Sequence, residues 1–138
     1  MTLTLIKQHG EYFVQQLKEA SALASINWSA MDPNQFFSVT KTQDEISVIS
    51  QVPLSSPTDS TDPFLQSKVE GPWALYRVAG QLDFNLTGIM SQLVSPLAIA
   101  KISVFTLSTY DTDYILIKID KSREAEIVWQ QSGFTVVL

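Results

Sequence analysis

The spacing of apolar and polar residues is clearest in the second half of the chain. Trp73–Val78 alternates with the period of a strand, and the Gly80–Asn85 segment after it reads as a loop. Ile89, Leu93 and Leu97 then recur every fourth residue and draw one apolar stripe along a helix. Asn85 or Thr87 can cap that helix, and Pro96, which has no amide hydrogen to donate, should kink it. Ile102–Ser108 and Tyr114–Ile119 read as a hairpin around a polar turn. A second helix is expected from Asp120 or Ser122, with Glu124 and Glu126 in its first turn, where the helix dipole favours acids. Its inward residues are Ala125, Val128 and Trp129, Gly133 caps its end, and Thr135–Leu138 closes the chain as a strand.

The order from residue 73 to 138 is therefore β-α-β-β-α-β, that of a ferredoxin-like split βαβ unit. The first half is written less plainly. Residues 3–6 and 12–17 read as short strands on either side of His9-Gly10, and a thin apolar stripe over 18–24 allows a short helix. Asp32-Pro33-Asn34 is a turn, and Phe36–Thr40 with Ile46–Gln51 makes a hairpin that Pro53 ends. Residues 55–66, rich in Pro, Ser and Thr, read as a linker and place a division into 1–62 and 63–138.

An internal echo supports two copies of one unit. Val39–Ile49 lies on Leu107–Ile117 without a gap, so that Glu45 meets Asp113, and Ile46, Val48 and Ile49 meet Tyr114, Leu116 and Ile117. The first copy lacks a strong first helix, which makes it the degenerate one. In Tyr114–Ile117 successive residues are all apolar although they point to opposite faces of a sheet. Helices can cover one face; the other unit or a second subunit should cover the other.

Composition narrows the chemistry. The chain has 138 residues, 45% apolar and 17% charged, which is a globular balance. Its net charge of −5 lacks the footprint for nucleic-acid phosphates or an anionic membrane. No run approaches the ~18 apolar residues of a membrane span, and the N-terminus has no signal-peptide pattern, so a cytoplasmic location is expected. The sequons at Asn27 and Asn85 would need a secretory route and are read as chance. There is no cysteine, which removes disulfides and thiol chemistry.

The single histidine, His9, stands beside a turn glycine and reads as a solvated residue, not as the buried imidazole of a nucleophilic triad. Asp111 and Asp113 flank Thr112; two carboxylates so spaced can share a cation, but the bland reading is a solvated hairpin tip. Gly80 and Gly88 belong to no nucleotide-binding motif. A glycine at a helix start can, however, let a ligand approach the backbone, where unpaired amides receive a carboxylate. Backbone groups near Ser103 and Thr109 could hold the amino and carboxylate groups of an amino acid, with Asp83 and Asp113 facing a cationic group. No metal or cofactor is called for, and no catalytic residue is assigned.

Several segments carry a family resemblance: Val78-x-Gly80, Leu82-Asp83-Phe84, Leu86-Thr87-Gly88-Ile89, Ile102-Ser103-Val104-Phe105, Leu107–Tyr114 and Phe36–Thr40. Together they resemble the tandem-ACT branch, which includes the CASTOR arginine sensors and small bacterial proteins of the same build. The resemblance implies an α+β fold of two ferredoxin-like ACT units in tandem, the first degenerate, with sheets side by side and helices mainly on one face. It implies a ligand at the interface between units, held by the first strand-to-helix turn of one and a strand of its neighbour. On this chain those are Asp83, Phe84, Leu86, Thr87, Gly88 and Ile89, then Ile102, Ser103, Val104 and Phe105, with Asp113 outlying. The expected function is thus a non-enzymatic, amino-acid-binding regulator that forms a homodimer. The alternative is a protein–protein assembly module with no small ligand.

Overall fold

The structure is a computed structural model that describes residues 3–17, 29, 31–51, 68–79 and 88–138. Among these residues lie eight strands and two helices: β1 (Thr4–Lys7), β2 (Tyr12–Leu17), β3 (Ser38–Lys41), β4 (Ile46–Ser50), β5 (Lys68–Val78), α1 (Ile89–Ile99), β6 (Phe105–Ser108), β7 (Asp113–Lys118), α2 (Ile119–Gln131) and β8 (Thr135–Val137). The helix considered over 18–24, the 55–66 linker and the Gly80–Asn85 loop lie outside the described residues.

The chain forms two compact units that are not consecutive. One comprises Met1–Glu11 and Trp73–Leu138; the other, Tyr12–Pro72, is inserted into it. This differs from a linear division at 62/63 because β1, although first in sequence, pairs with strands near the end of the chain. It runs antiparallel to β5 (Leu5↔Val78, Lys7↔Tyr76) and parallel to β8 (Thr4↔Thr135, Ile6↔Val137). β5 also begins earlier than the alternation suggests, at Lys68, and carries the chain from the inserted unit at Pro72 to the other at Trp73.

In the discontinuous unit the sheet order is β6-β7-β5-β1-β8. It is the ferredoxin-like arrangement with β1 set between its first and last strands. One face carries Leu3, Leu5, Ala74, Tyr76, Val78, Ile115 and Ile117, and both helices pack on it through Ile89, Leu93, Leu97, Ala125 and Trp129. The expected stripes are thus the buried ones. The indole Nε1 of Trp129 donates to the Leu93 carbonyl at 2.9 Å, tying α2 to α1 just before Pro96. On the opposite face Leu75 and Leu116 are fully buried, and Phe105 meets Trp73 edge to face.

Both helices stop by one device. At the end of α1 the Ile102 amide reaches the Leu97 carbonyl and the Lys101 amide that of Ala98; after α2, Phe134 and Gly133 do the same to Trp129 and Gln130. These are Schellman closures, which need a left-handed residue. Gly133 supplies it after α2 (φ 93°), but Lys101 must adopt φ 61° after α1.

α2 starts at Ile119, so Asp120 is the acid of its first turn and Glu126 lies beyond it, contrary to expectation. Glu126 instead points inward, its side chain 3% exposed, and Lys7 Nζ approaches Oε2 at 3.0 Å. The Tyr76 hydroxyl donates to the same oxygen, and Arg123 stands 3.7 Å from Oε1. Burial, then the hydrogen bond and charge of Glu126, push the Tyr76 hydroxyl well above its ordinary value.

In the inserted unit β2 pairs with β4 (Val14↔Ile49, Leu17↔Ile46) and β4 with β3 (Ser38↔Ile49, Lys41↔Ile46). Its small core is Leu17, Ile46 and Val48 with Phe37 and Val39. Gly71 lies against β2: a Cβ there would stand 2.6 Å from Phe13 Cδ1 and 2.9 Å from the Tyr12 carbonyl oxygen.

Two predictions follow from strain and burial. Lys101→Gly should stabilise the protein by about 1 kcal/mol, since glycine holds the left-handed position without a Cβ clash; urea unfolding measures it. Because the folded state keeps the Tyr76 proton after the unfolded chain has lost it, stability should fall above about pH 10. Tyr76→Phe should flatten that part of the stability–pH curve.

Candidate functional site

The residues singled out in the sequence separate within the discontinuous unit. β5 ends at Val78, α1 starts at Gly88, and the β6–β7 turn lies at that same end, because Thr112 Oγ1 donates to the Val78 carbonyl at 2.6 Å. Ile102–Phe105 lie at the far end of α1, whose 11 residues span roughly 16 Å at 1.5 Å each. Gly88, Ile89 and Asp113 therefore share one end of the unit, and Ile102, Ser103, Val104 and Phe105 the other. Asp83, Phe84, Leu86 and Thr87 lie outside the described residues.

Gly88 is the N-cap of α1, exposed, with φ 75°, and among the described residues a Cβ there would meet nothing within 4 Å. Gly88 holds the N-cap position and has no side chain to offer, and the first turn has no acid; Asn85 and Thr87, the expected caps, lie outside the described residues. The helix opens with the Gln92 amide bonded to the Gly88 carbonyl at 2.9 Å. The amides before Gln92 have no acceptor within the helix, as at any helix start. A glycine N-cap and the partial positive charge of a helix start make this end suited to a carboxylate.

Ile89 and Ile102 are core residues, 6% and 4% exposed. Ile102 completes the closure of α1, which accounts for its burial without a ligand. Val104 is half-buried against the same core. Ile102–Val104 are not strand, and β6 begins only at Phe105. Ser103 and Phe105 are exposed, and among the described strands β6 pairs with β7 alone. The Asp113 carboxylate accepts from Ser108 Oγ across the hairpin. Among the described residues no group of three or more His, Asp or Glu could hold a metal ion.

The sequence reading passed over Thr112, which is 6% exposed and fixes the hairpin to the end of β5. The signal was present in the turns. Thr42 and Thr109 each open a four-residue loop; each backbone amide donates to the carbonyl of the last loop residue, Glu45 or Thr112, at 2.9 and 2.8 Å. Each threonine hydroxyl also accepts the amide of that residue. Aligning the turns matches Glu45 to Thr112 and Ile46 to Asp113, one residue off the gapless match drawn from apolar positions. Val48, Ile49 and Ser50 then match Ile115, Leu116 and Ile117, and all six are buried.

Residues 68–126 match the model of the ACT domain family. Among individual proteins, the chain is similar to the human cytosolic arginine sensor for mTORC1 subunit 1, 33% identical over 86 residues. That match covers 62% of this chain and 26% of the sensor, so the chain matches about a quarter of the length of these curated relatives. The fold is similar to protein Atu0741 of Agobacterium tumefaciens: TM-score 0.77, 25% identity, 100% of this chain and 94% of that one. It is also similar to the regulatory subunit of aspartate kinase from Thermus thermophilus: TM-score 0.60, 7% identity, 93% of this chain and 96% of that one. The ferredoxin-like α+β fold expected from the sequence is the fold these structures share.

Gly88→Ala should cost about 1 kcal/mol by placing a Cβ on a left-handed residue, and Gly88→Asn less, because asparagine tolerates that region. Comparison of urea midpoints separates the two.

Proposed function

We propose that the chain is a non-enzymatic regulatory protein that binds an amino acid, or a similar small carboxylate, at the N-terminus of α1. The observation that carries this reading is Gly88: an exposed, left-handed N-cap with no side chain of its own over the helix amides and, among the described residues, nothing within 4 Å of where a Cβ would stand. The ACT domain match and the arginine-sensor relatives support it. In this reading residues 83–89, from Asp83 to Ile89, hold the carboxylate end of the ligand, and Ser103 with its neighbours Ile102–Phe105 holds the other.

Those two groups meet through a second copy of the chain. Two β6 edges pairing antiparallel about a two-fold axis would turn one copy end for end. The Gly88 end of α1 in one protomer then lies level with Ile102–Phe105 of its partner, and Asp113 flanks the site. A symmetric pair also gives both copies an equivalent ligand site. The chain is then a tandem of two ACT units, the first degenerate, with β1 lent to the second. It needs no cofactor, works in the cytoplasm, and with a net charge of −5 avoids nucleic acid and anionic membranes. A second reading, an assembly module without a small ligand, is favoured by one feature, the exposed Phe105 on a strand that, among the described strands, pairs with β7 alone.

Thermal unfolding of the protein against the twenty amino acids at millimolar concentration distinguishes them. A ligand at ~100 times its dissociation constant adds ~2.7 kcal/mol to the native state, a rise of roughly 5–10 °C. The sensor reading expects such a rise with one or two amino acids. It also expects Gly88→Val to fold but bind at least tenfold more weakly, by calorimetry, and sedimentation at twice the 15.4 kDa chain mass. A dimer with no rise for any amino acid would favour the assembly module.

A further inference from the structure

The two hairpins share a turn but finish their corners differently. In the discontinuous unit the last loop residue, Thr112, is buried and bonded to the carbonyl of Val78 at the end of β5. In the inserted unit the matching residue is Glu45, and the matching strand end is Leu17. The registers fix that match: Gln16 lies opposite Ser47 as Arg77 lies opposite Tyr114. Glu45 is exposed, and its carboxylate accepts from Ser47 Oγ at 2.7 Å instead of closing on the strand end.

Among the described residues, nothing closes the matching corner of the inserted unit. It is a cleft of about 130 Å³, with Leu17 and Ile46 beneath and Lys41, Gln43, Asp44 and Glu45 around it. Leu17 and Ile46 are 2% and 4% exposed, so its base is apolar and fixed. Lys41 and Asp44 make no ion pair among the described residues. At about 30 Å³ per liquid water the cleft holds roughly four waters, or a ligand of a few heavy atoms. Its matching position in the other unit has Ser108 where Lys41 stands, and Ser108 is engaged by Asp113.

We propose that this cleft is a second binding site, for a small zwitterion such as a short α-amino acid. The ammonium group would lie toward Asp44 and Glu45 and the carboxylate toward Lys41, each by a charge-assisted contact. The site is separate from the turn at Gly88 and does not rest on the function proposed for it.

Titration of the ¹⁵N-labelled full chain with glycine, L-alanine and L-serine tests this, with methylammonium and acetate as singly charged probes. Saturable shifts are expected at the amides of Lys41–Ile46 for at least one zwitterion, with at least tenfold weaker apparent affinity for either single-charge probe. Lys41→Gln should weaken binding at least tenfold, and Glu45→Thr, which installs the residue found at Thr112, should abolish it with the unfolding midpoint retained. No saturable shift at Lys41–Ile46 with any of the three zwitterions overturns the proposal, as does unchanged binding in either variant. The Gly88→Val protein should keep these shifts, and their loss there would overturn a separate site. Shifts confined to Lys41–Ile46 would uphold this proposal whatever the thermal screen shows for the site at Gly88.

Discussion

Four residues from the beginning of the chain hold together the unit made mostly from its end. β1 lies between β5 and β8, and among the described strands the three residues of β8 have no other neighbour. Leu5 stands opposite Val78 on one side and Val136 on the other, and is fully buried. Lys7, at the end of the same strand, brings the ammonium that faces Glu126. Without Lys7 the buried Glu126 carboxylate would keep only the Tyr76 hydroxyl and the more distant Arg123. Hydrogen bonding of the last strand, burial of the central apolar face and neutralisation of the buried carboxylate thus all require β1.

Helix α1 shows how closely structural and functional roles lie along one segment. Its apolar stripe and its C-terminal closure commit Ile89, Leu93, Leu97 and Ile102 to the core. What remains for chemistry is at its two ends: Gly88 and the amides behind it at one, Ser103 and Phe105 at the other. A ligand reaching both ends of one helix would have to span it. In the proposed dimer, two copies facing in opposite directions would bring the two ends together.

Much of the fold was legible because local pattern and tertiary burial agree. The spacing of Ile89, Leu93 and Leu97 identified a helix and its buried face, and Gly133 marked the end of α2. Partners distant in sequence were not legible: nothing in Thr4–Lys7 announces that it pairs with β5 and β8. Glu126 read as a first-turn acid because its burial depends on Lys7 and Tyr76, far away in sequence. The hairpin echo was found but misaligned by one residue. β7 is apolar on both faces, so alternation cannot fix its register, whereas the hydroxyl of the threonine that opens each turn can. For the site, Gly88 was legible as a place where backbone is exposed. The roles of Ile89 and Ile102 were not, since an apolar residue beside a turn looks the same whether it lines a pocket or fills a core.

The insertion of one unit into the other has a consequence for how the chain reaches this state. The Gln8 amide donates to the Leu75 carbonyl at 2.8 Å, so β1 and β5 are the arms of a hairpin whose loop is the whole of the inserted unit. Each doubling of a flexible loop adds about 0.6 kcal/mol to the entropy of closing it, so a loop some sixteen times longer than a tight turn costs about 2–3 kcal/mol more. A loop that folds first is no longer flexible. Folding of residues 12–72 would shorten the effective loop between β1 and β5, coupling the assembly of one unit to the prior folding of the other.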